Sequence, residues 1–470
     1  MSKKKSEKEV DYSPIFAPIE IGNVKIKNRI AMAPMNMNYT GPNRYVSRQQ
    51  MAYYAARAKG GTGLIIMEAA MASDAEIAQT YKKYNNVALS NELYVPLMSE
   101  LAEHVHAFGA KMFIQLAINA GRQGTSEGGA VQPVSASPIP WQVYPENAIN
   151  NFDPLLLVRA LGYQGKIPDT DDIEELLAFA RKVPGAHMGG EVPREMTVEE
   201  INGQVKDLGY SAKLAKRAGF DGIEIHAPHG YLIHSFLSPR SNKRNDEYGG
   251  TFENRIRILL ECIHACKKTV GPDYVVGVRI SASEDLPEGF DPYYTKRVAK
   301  RCEEAGADYI HLSDGSYEKM NDFLPNKEGQ VIPKAAIIKE GLGIPLICPS
   351  VHNPDNVLDV VKTGKADMVS QGRQQIADPE WANKVKAGKV GEIIKCTRCN
   401  LGCITRFVLG LPCRCILNPT VGQEQFMDEY MRRPIIPIKN RVWQTLAHIG
   451  KEPSTPIEGA REELLGKGKK

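Results

Sequence analysis

The 470 residues contain no G-x-G-x-x-G stretch, no apolar run long enough to cross a bilayer, and no basic leader running into an apolar core. The first absence removes the Gly-rich strand–turn–helix fingerprint of a dinucleotide-binding domain. The second removes a membrane-spanning helix, which needs roughly 18 consecutive apolar residues. The third argues against a secretory signal, because "MSKKKSEKEV" continues into "DYSP". Charge of one sign is scarce as well. Lys and Arg exceed Asp and Glu by only 4, which gives no electrostatic case for binding nucleic acid. The Lys-rich ends read as solvated tails.

What is present is ordinary globular material, 42% hydrophobic and 24% charged, enough for one large core with attachments. Short apolar runs rich in branched residues alternate with longer helical patterns. The candidate strands are 29–34, 63–67, 111–116, 222–226, 275–280, 308–313, 345–349 and 367–372, eight in all. Unbroken apolar runs suit strands buried on both faces, as parallel strands are. Helix starts are readable between them: Thr197 and Glu200 form a capping box ahead of Ile201, Val205, Leu208 and Ala212, which share one helical face. Eight strand-then-helix units predict an α/β fold, the (β/α)8 TIM barrel, whose chemistry sits where strands end and loops begin. The spacing breaks once. More than a hundred residues separate the third and fourth strands, and within them "PDTDDIEELLAFARKV" reads as an acidic helix. This insertion, at about 140–192, is expected at the barrel mouth, as a lid or as a surface embellishment or oligomer contact.

The nine cysteines fall into two groups. Cys262, Cys266, Cys302 and Cys348 are scattered through helix-like and strand-like segments, the usage of reduced thiols, so a cytoplasmic location is expected. The other five crowd into "CTRCNLGCITRFVLGLPCRC", residues 396–415. Cys396, Cys399, Cys403 and Cys415 read C-x2-C-x3-C-x11-C. Four thiolates in a short, loop-rich stretch suit a 4Fe–4S cluster. Tetrahedral zinc also takes four cysteines, though more often from two paired knuckles set further apart. Disulfides are the poor option in a reducing compartment. Cys413 stands between the ligands as a spare thiol or an alternative fourth ligand.

Residues 226–255, "HAPHGYLIHSFLSPRSNKRNDEYGGTFENR", closely resemble the signature of the old yellow enzyme family of flavin-dependent ene-reductases. Further landmarks of that family occur in order: "NRIAMAPM" (28–35), "QLAINAGR" (115–122), "VRISA" (278–282) and "DMVSQGRQQIADPEW" (367–381). The cysteine pattern, followed by "NPTVGQE", is similar to the iron–sulfur segment of the subgroup that holds 2-enoate reductase, 2,4-dienoyl-CoA reductase and trimethylamine dehydrogenase. The resemblance covers about 14–424 apart from the insertion. It implies a tail at 1–13, an FMN-binding barrel over 14–385, an iron–sulfur segment over 386–424 and a C-terminal extension over 425–470.

The same resemblance implies roles for single residues. Pro34, Met35 and Ala69, just after strands one and two, would turn backbone groups to the isoalloxazine. Gln115, ending strand three, would pair with the donor and acceptor edge of the pyrimidine ring. Arg279, ending strand five, would set a fixed positive charge at the N1–O2 edge of the anionic reduced flavin. The phosphate is expected after strands seven and eight, at Gly372, Arg373 and Ser350, which stands where many family members have Gly, keeps a backbone N–H and adds a side-chain donor. His226 and His229, ending strand four, would grip a substrate carbonyl as charge develops on its oxygen. Tyr231 would hand a proton to the α-carbon. Cys396, Cys399, Cys403 and Cys415 would ligate the cluster. One departure is mild: "QLAINAGR" is a residue longer than the pattern of simpler members and lacks its histidine, nearer the 2-enoate type.

The larger departure is the absent fingerprint. Multi-domain relatives continue from the cluster into an FAD- and nucleotide-binding module, whereas here no FAD site is expected. Electrons are then expected to reach the cluster from a separate flavoprotein or ferredoxin-like subunit, with the stretch from Arg432 as its docking surface. Direct entry of NAD(P)H at the barrel mouth is the alternative. The expected reaction is reduction of an activated C=C bond in an enoate, enone or enoyl thioester. An amine dehydrogenase resembling trimethylamine dehydrogenase is a second reading, disfavoured by "HAPH", and a non-catalytic electron-transfer subunit a third. A homo-oligomer is compatible with everything above.

Overall fold

The computed structural model describes residues 10–78, 85–126, 131–143 and 188–431, together with Asp172, Glu175 and Ala178. All eight anticipated strands are strands: β1 Ile30–Met32, β2 Leu64–Met71, β3 Lys111–Ala117, β4 Gly222–His226, β5 Val275–Ser281, β6 Tyr309–Ser313, β7 Leu346–Pro349 and β8 Met368–Gln371. Between them run α1 Arg48–Lys59, α2 Val95–His106, α3 Val198–Arg217, α4 Phe252–Val270, α5 Pro292–Glu304, α6 Ile332–Lys339 and α7 Pro354–Lys362. Each strand pairs in parallel with the next and β8 returns to β1, so the sheet closes into a (β/α)8 barrel.

The local reasons are those of a parallel sheet with helices outside. Every residue of β4 and β5 is buried, as strands covered on both faces must be. At the start of α3 the Thr197 side chain accepts from the Glu200 N–H while Glu200 accepts from the Thr197 N–H. Ile201, Leu208 and Ala212 are then buried and Val205 half-buried. A hairpin of Ile19–Ile21 and Val24–Ile26 plugs the barrel floor. Its turn needs Gly22, with φ 53°, because a Cβ there would lie 3.2 Å from the side chains of Val275 and Asp308. Ile21 and Ile26 pack with Phe113, Val275 and Tyr309, so apolar side chains fill the lower interior and polar groups are left to the upper end.

The insertion is clamped at its base, where Gln142–Val143 pairs antiparallel with Met188–Gly189. Of the predicted acidic helix only Asp172, Glu175 and Ala178 are described, the last two as helical; the rest of it, like the stretch from Arg432, lies outside the described residues. After β8 come the short helices α8 Arg373–Ala377 and α9 Trp381–Lys386. Residues 393–420, which carry the cysteines, contain only a π-helical turn, Leu401–Thr405, and one helical turn, Arg406–Val408. No helix among the described residues is long and apolar enough to cross a membrane.

Candidate active site

The C-terminal ends of the strands open into a cavity of about 640 Å³. Pro34, Met35, Ala69, Gln115, His226, His229, Tyr231, Arg279, Ser350, Gly372 and Arg373 all line it. Four placements differ from the linear reading. Ala69 lies inside β2, where the register with β3 slips, rather than beyond the strand. Gln115 and Arg279 stand before the ends of β3 and β5, which run on to Ala117 and Ser281. His226 closes β4, but His229 sits in the turn beyond it, with a left-handed φ of 69°.

Beneath the cavity lies a buried carboxylate. Glu224 accepts from Gln115 Nε2 at 2.7 Å and from the Tyr309 hydroxyl at 3.0 Å, and meets His311 Nδ1 at 2.8 Å. His311 Nε2 lies 2.8 Å from Ser370 Oγ. Burial alone would raise the Glu224 pKa, but His311, Arg279 and Gln115 together lower it below its ordinary value, so it is ionised at neutral pH. One hydrogen of the Gln115 amide is therefore engaged, which orients the side chain and leaves its oxygen for a ligand. Arg279 is held loosely, with Nη1 3.5 Å from the Pro34 carbonyl and Nη2 3.4 Å from Ser313 Oγ. Its buried Nε meets no partner among the described residues.

The His226 and His229 rings are 5.5 Å apart, and His226 is 5.0 Å from the Tyr231 ring. His229 Nε2 lies 2.5 Å from Ser313 Oγ, whereas His226 Nδ1 is buried with no partner among the described residues. Burial first, and the positive charge of Arg279 second, push both imidazoles well below the ordinary 6.5. Both rings are neutral at pH 7, each with one N–H and one acceptor nitrogen. The Tyr231 hydroxyl lies 2.9 Å from that of Tyr317. The Tyr317 N–H donates to the His229 carbonyl at 3.3 Å, so the loop after β6 is stitched to the histidine turn. Phe323, from the same loop, stands 4.3 Å from the His229 ring.

The residues expected to meet a phosphate are partly engaged by the protein itself. Ser350 has φ 60°, the left-handed backbone that favours Gly, but its N–H already donates to the Ser370 carbonyl at 3.0 Å. That backbone donor is not free for a phosphate, which corrects the expectation for the Ser350 N–H. Gly372 leaves room, since a Cβ there would meet Met35 Sδ at 3.1 Å. Arg373 donates from Nη1 to Asn400 Oδ1 at 2.8 Å and from Nη2 to the Pro325 carbonyl at 2.7 Å. Cys396, Cys399, Cys403 and Cys415 surround a second, small cavity, and Cys396 and Cys403 line the large one too. Cys413 lines only the large one, its Sγ 3.5 Å from the Cys403 carbonyl. Among the described residues no set of three or more His, Cys, Asp or Glu side chains is arranged as a ligand set for a metal ion.

Glu224, His311, Ser313 and Tyr317 were not anticipated. A charged residue inside the apolar run "GIEIH", and a histidine inside "DYIHLS", were visible signals of polar groups facing the barrel interior. Tyr317 carries no such signal, because its partner is 86 residues away.

A family profile described as NADH:flavin oxidoreductase / NADH oxidase matches residues 14–392. The chain belongs to this family. Within the NADH:flavin oxidoreductase / NADH oxidase family it is 38% identical over 433 residues to the NADH oxidase of Thermoanaerobacter brockii, covering 90% of this chain and 58% of that protein. It is 31% identical over 441 residues to the cinnamate reductase of Clostridium sporogenes, covering 88% of this chain and 59% of that protein. The solved complex of 2-naphthoyl-CoA reductase with 2-naphthoyl-CoA matches with a TM-score of 0.72 and 27% identity, over 88% of this chain and 58% of that one. The chain thus spans under two thirds of the length of each of these relatives.

Proposed function

We propose that this flavin oxidoreductase is an FMN-dependent ene-reductase, acting on the activated C=C bond of an enoate, enone or enoyl thioester and receiving electrons through a 4Fe–4S cluster. The observation that carries the reading is the meeting of His226, His229 and Tyr231 with Gln115 and Arg279 in one cavity. His226 Nδ1 and Arg279 Nε, which meet no partner among the described residues, fit a cavity built to receive polar groups, since buried donors and acceptors are otherwise paired. Pro34, Met35, Ala69, Gln115 and Arg279 would hold the flavin ring, and Gly372 and Arg373, beside the Ser350 turn, its phosphate. When bound, FMN supplies a hydride and the cluster passes it single electrons. The rest falls to side chains. Neutral imidazole donors at His226 and His229 hold the carbonyl oxygen and take up the charge that develops on it. Tyr231, its hydroxyl steadied by Tyr317, delivers the proton to the α-carbon. A phenol gives up that proton only to a strongly basic enolate, which couples the step to hydride arrival. Two proteins similar to this chain are named as reductases of cinnamate and of 2-naphthoyl-CoA.

The same reading divides the chain into an FMN barrel at 14–385 and an iron–sulfur segment at 386–424. The common cavity of Cys396, Cys399, Cys403 and Cys415 supports these four as ligands, with Cys413 outside the set. A single zinc ion would need every sulfur about 2.3 Å from one point; a cubane binds each thiolate to a different iron and accepts wider spacing. The electron source we favour is a cytoplasmic flavoprotein or ferredoxin-like partner, because the cysteine segment walls the flavin cavity and NAD(P)H is then not needed at the barrel mouth. An anaerobic visible spectrum, titrated with NADH and then with a one-electron donor, tests this. Flavin peaks over broad cluster absorbance are expected, bleached by the one-electron donor and restored by an aryl enone with formation of the saturated product. Bleaching by NADH alone would replace the partner with direct entry. Reduced protein that no enone, enoate or enoyl thioester reoxidises would end the ene-reductase reading.

A further inference from the structure

We infer that Asn400 is a positioning residue that ties the flavin phosphate site to the cysteine segment, so that FMN and the cluster retain each other. The inference rests on the two sites proposed above. Its basis is the short helix α8, which serves both. Arg373, its first residue, lines the large cavity and the small one, as do Ile376, Cys396 and Cys403. The Arg373 guanidinium donates to Asn400 Oδ1. The next residue, Gln374, accepts from the Cys396 N–H at 3.0 Å and donates to the Ile394 carbonyl at 2.9 Å. Beyond Cys415, Asn418 donates to the Ile376 carbonyl at 3.0 Å. One five-residue helix therefore holds the segment ahead of its first ligand, between its second and third, and after its fourth.

Asn400 is the inner of these contacts. It is 2% exposed and has a left-handed φ of 59°, between Cys399 and Cys403. The segment around it has little secondary structure of its own, so its shape depends on α8. A guanidinium has five N–H donors, and two of the Arg373 donors go to Asn400 and Pro325. A phosphate that engages the others fixes the guanidinium and lowers the cost of ordering Asn400 and the cysteines beside it. A cluster that orders the cysteines fixes Asn400 and so pre-orients Arg373 for phosphate. Linkage requires the two effects to be equal in size.

The experiment follows iron release from the full-length protein to a chromogenic chelator, with FMN bound, after flavin removal, and with riboflavin in place of FMN. FMN is expected to slow release about 10-fold, and riboflavin, which lacks the phosphate, less than about 2-fold. Asn400→Gly keeps the left-handed backbone and should cut the FMN effect to about 2-fold. Asn400→Asp retains an acceptor for Arg373 and should preserve the effect. Iron release from the wild type that ignores FMN overturns the inference, as does full coupling in Asn400→Gly. A protein that carries flavin but neither iron nor labile sulfide overturns the cluster reading itself, and the inference with it.

Discussion

The barrel mouth and the cysteine segment both surround cavities, but they are held together in different ways. At the mouth, Glu224, His311, Gln115 and Ser370 satisfy one another across four strands, and the imidazoles are neutral before any ligand arrives. The segment has two short helical turns in residues 393–420 and no strand. Its candidate ligands Cys396, Cys403 and Cys415 are half-buried and Cys399 is exposed. Burial pushes the Cys403 thiol up to about 11, the reverse of what a ligand needs until a cation is beside it. The mouth is preorganised by the closed sheet. The segment has no such sheet and leans on α8 instead.

The comparison is tested hardest at the cysteines. Cys403→Ser is expected to lose the cluster, with iron and labile sulfide falling below about a tenth of wild type, while the far-ultraviolet circular dichroism of the barrel persists and FMN still binds, more weakly. Cys413→Ser should keep its iron; a loss there instead would exchange the fourth ligand. The next effect belongs to the mouth. His226→Ala should slow reoxidation of the reduced flavin by an enone about 10²–10³-fold in stopped flow, with flavin reduction unchanged. Because both imidazoles titrate well below 6.5, affinity for a carbonyl ligand should be flat between about pH 6 and pH 8.

Stability gives the third contrast. Glu224→Gln should cost about 3 kcal/mol in urea unfolding, because it leaves the His311 and Tyr309 donors poorly met. The folded carboxyl is depressed, so its contribution is present above the unfolded value of about 4.3 and disappears as the pH falls through the lower folded value. The gap between variant and wild type should close over that acid range. A gap that stayed constant down to acid pH would mean the loss is packing alone. The smallest effect is peripheral: Thr197→Ala removes the α3 cap, which should cost about 1 kcal/mol and leave flavin and iron content unchanged.

The strands were legible because residues buried on both faces of a parallel sheet must be apolar almost without interruption. β2 was the partial miss. "EAAM" continues the strand past Met67, to Met71, through a register slip, and a bulge leaves no signature in that stretch. The anticipated residues that line the large cavity were legible because they lie in short local motifs. Their working partners were not. Gln115 meets Glu224 across 109 residues, and Arg373 meets Asn400 across 27, and no local pattern encodes either pair.

Sequence alone determined the eight strands, the local motifs at their ends and the spacing of the cysteines, since each follows from residue type and short-range periodicity. Tertiary structure decided that the Ser350 N–H is taken, that Cys415 rather than Cys413 joins the other three cysteines around their cavity, that Tyr317 stands against Tyr231, and that α8 lines two cavities. Those outcomes depend on sheet register and barrel closure, which bring together side chains far apart in the chain, and neither is written in any single stretch of it.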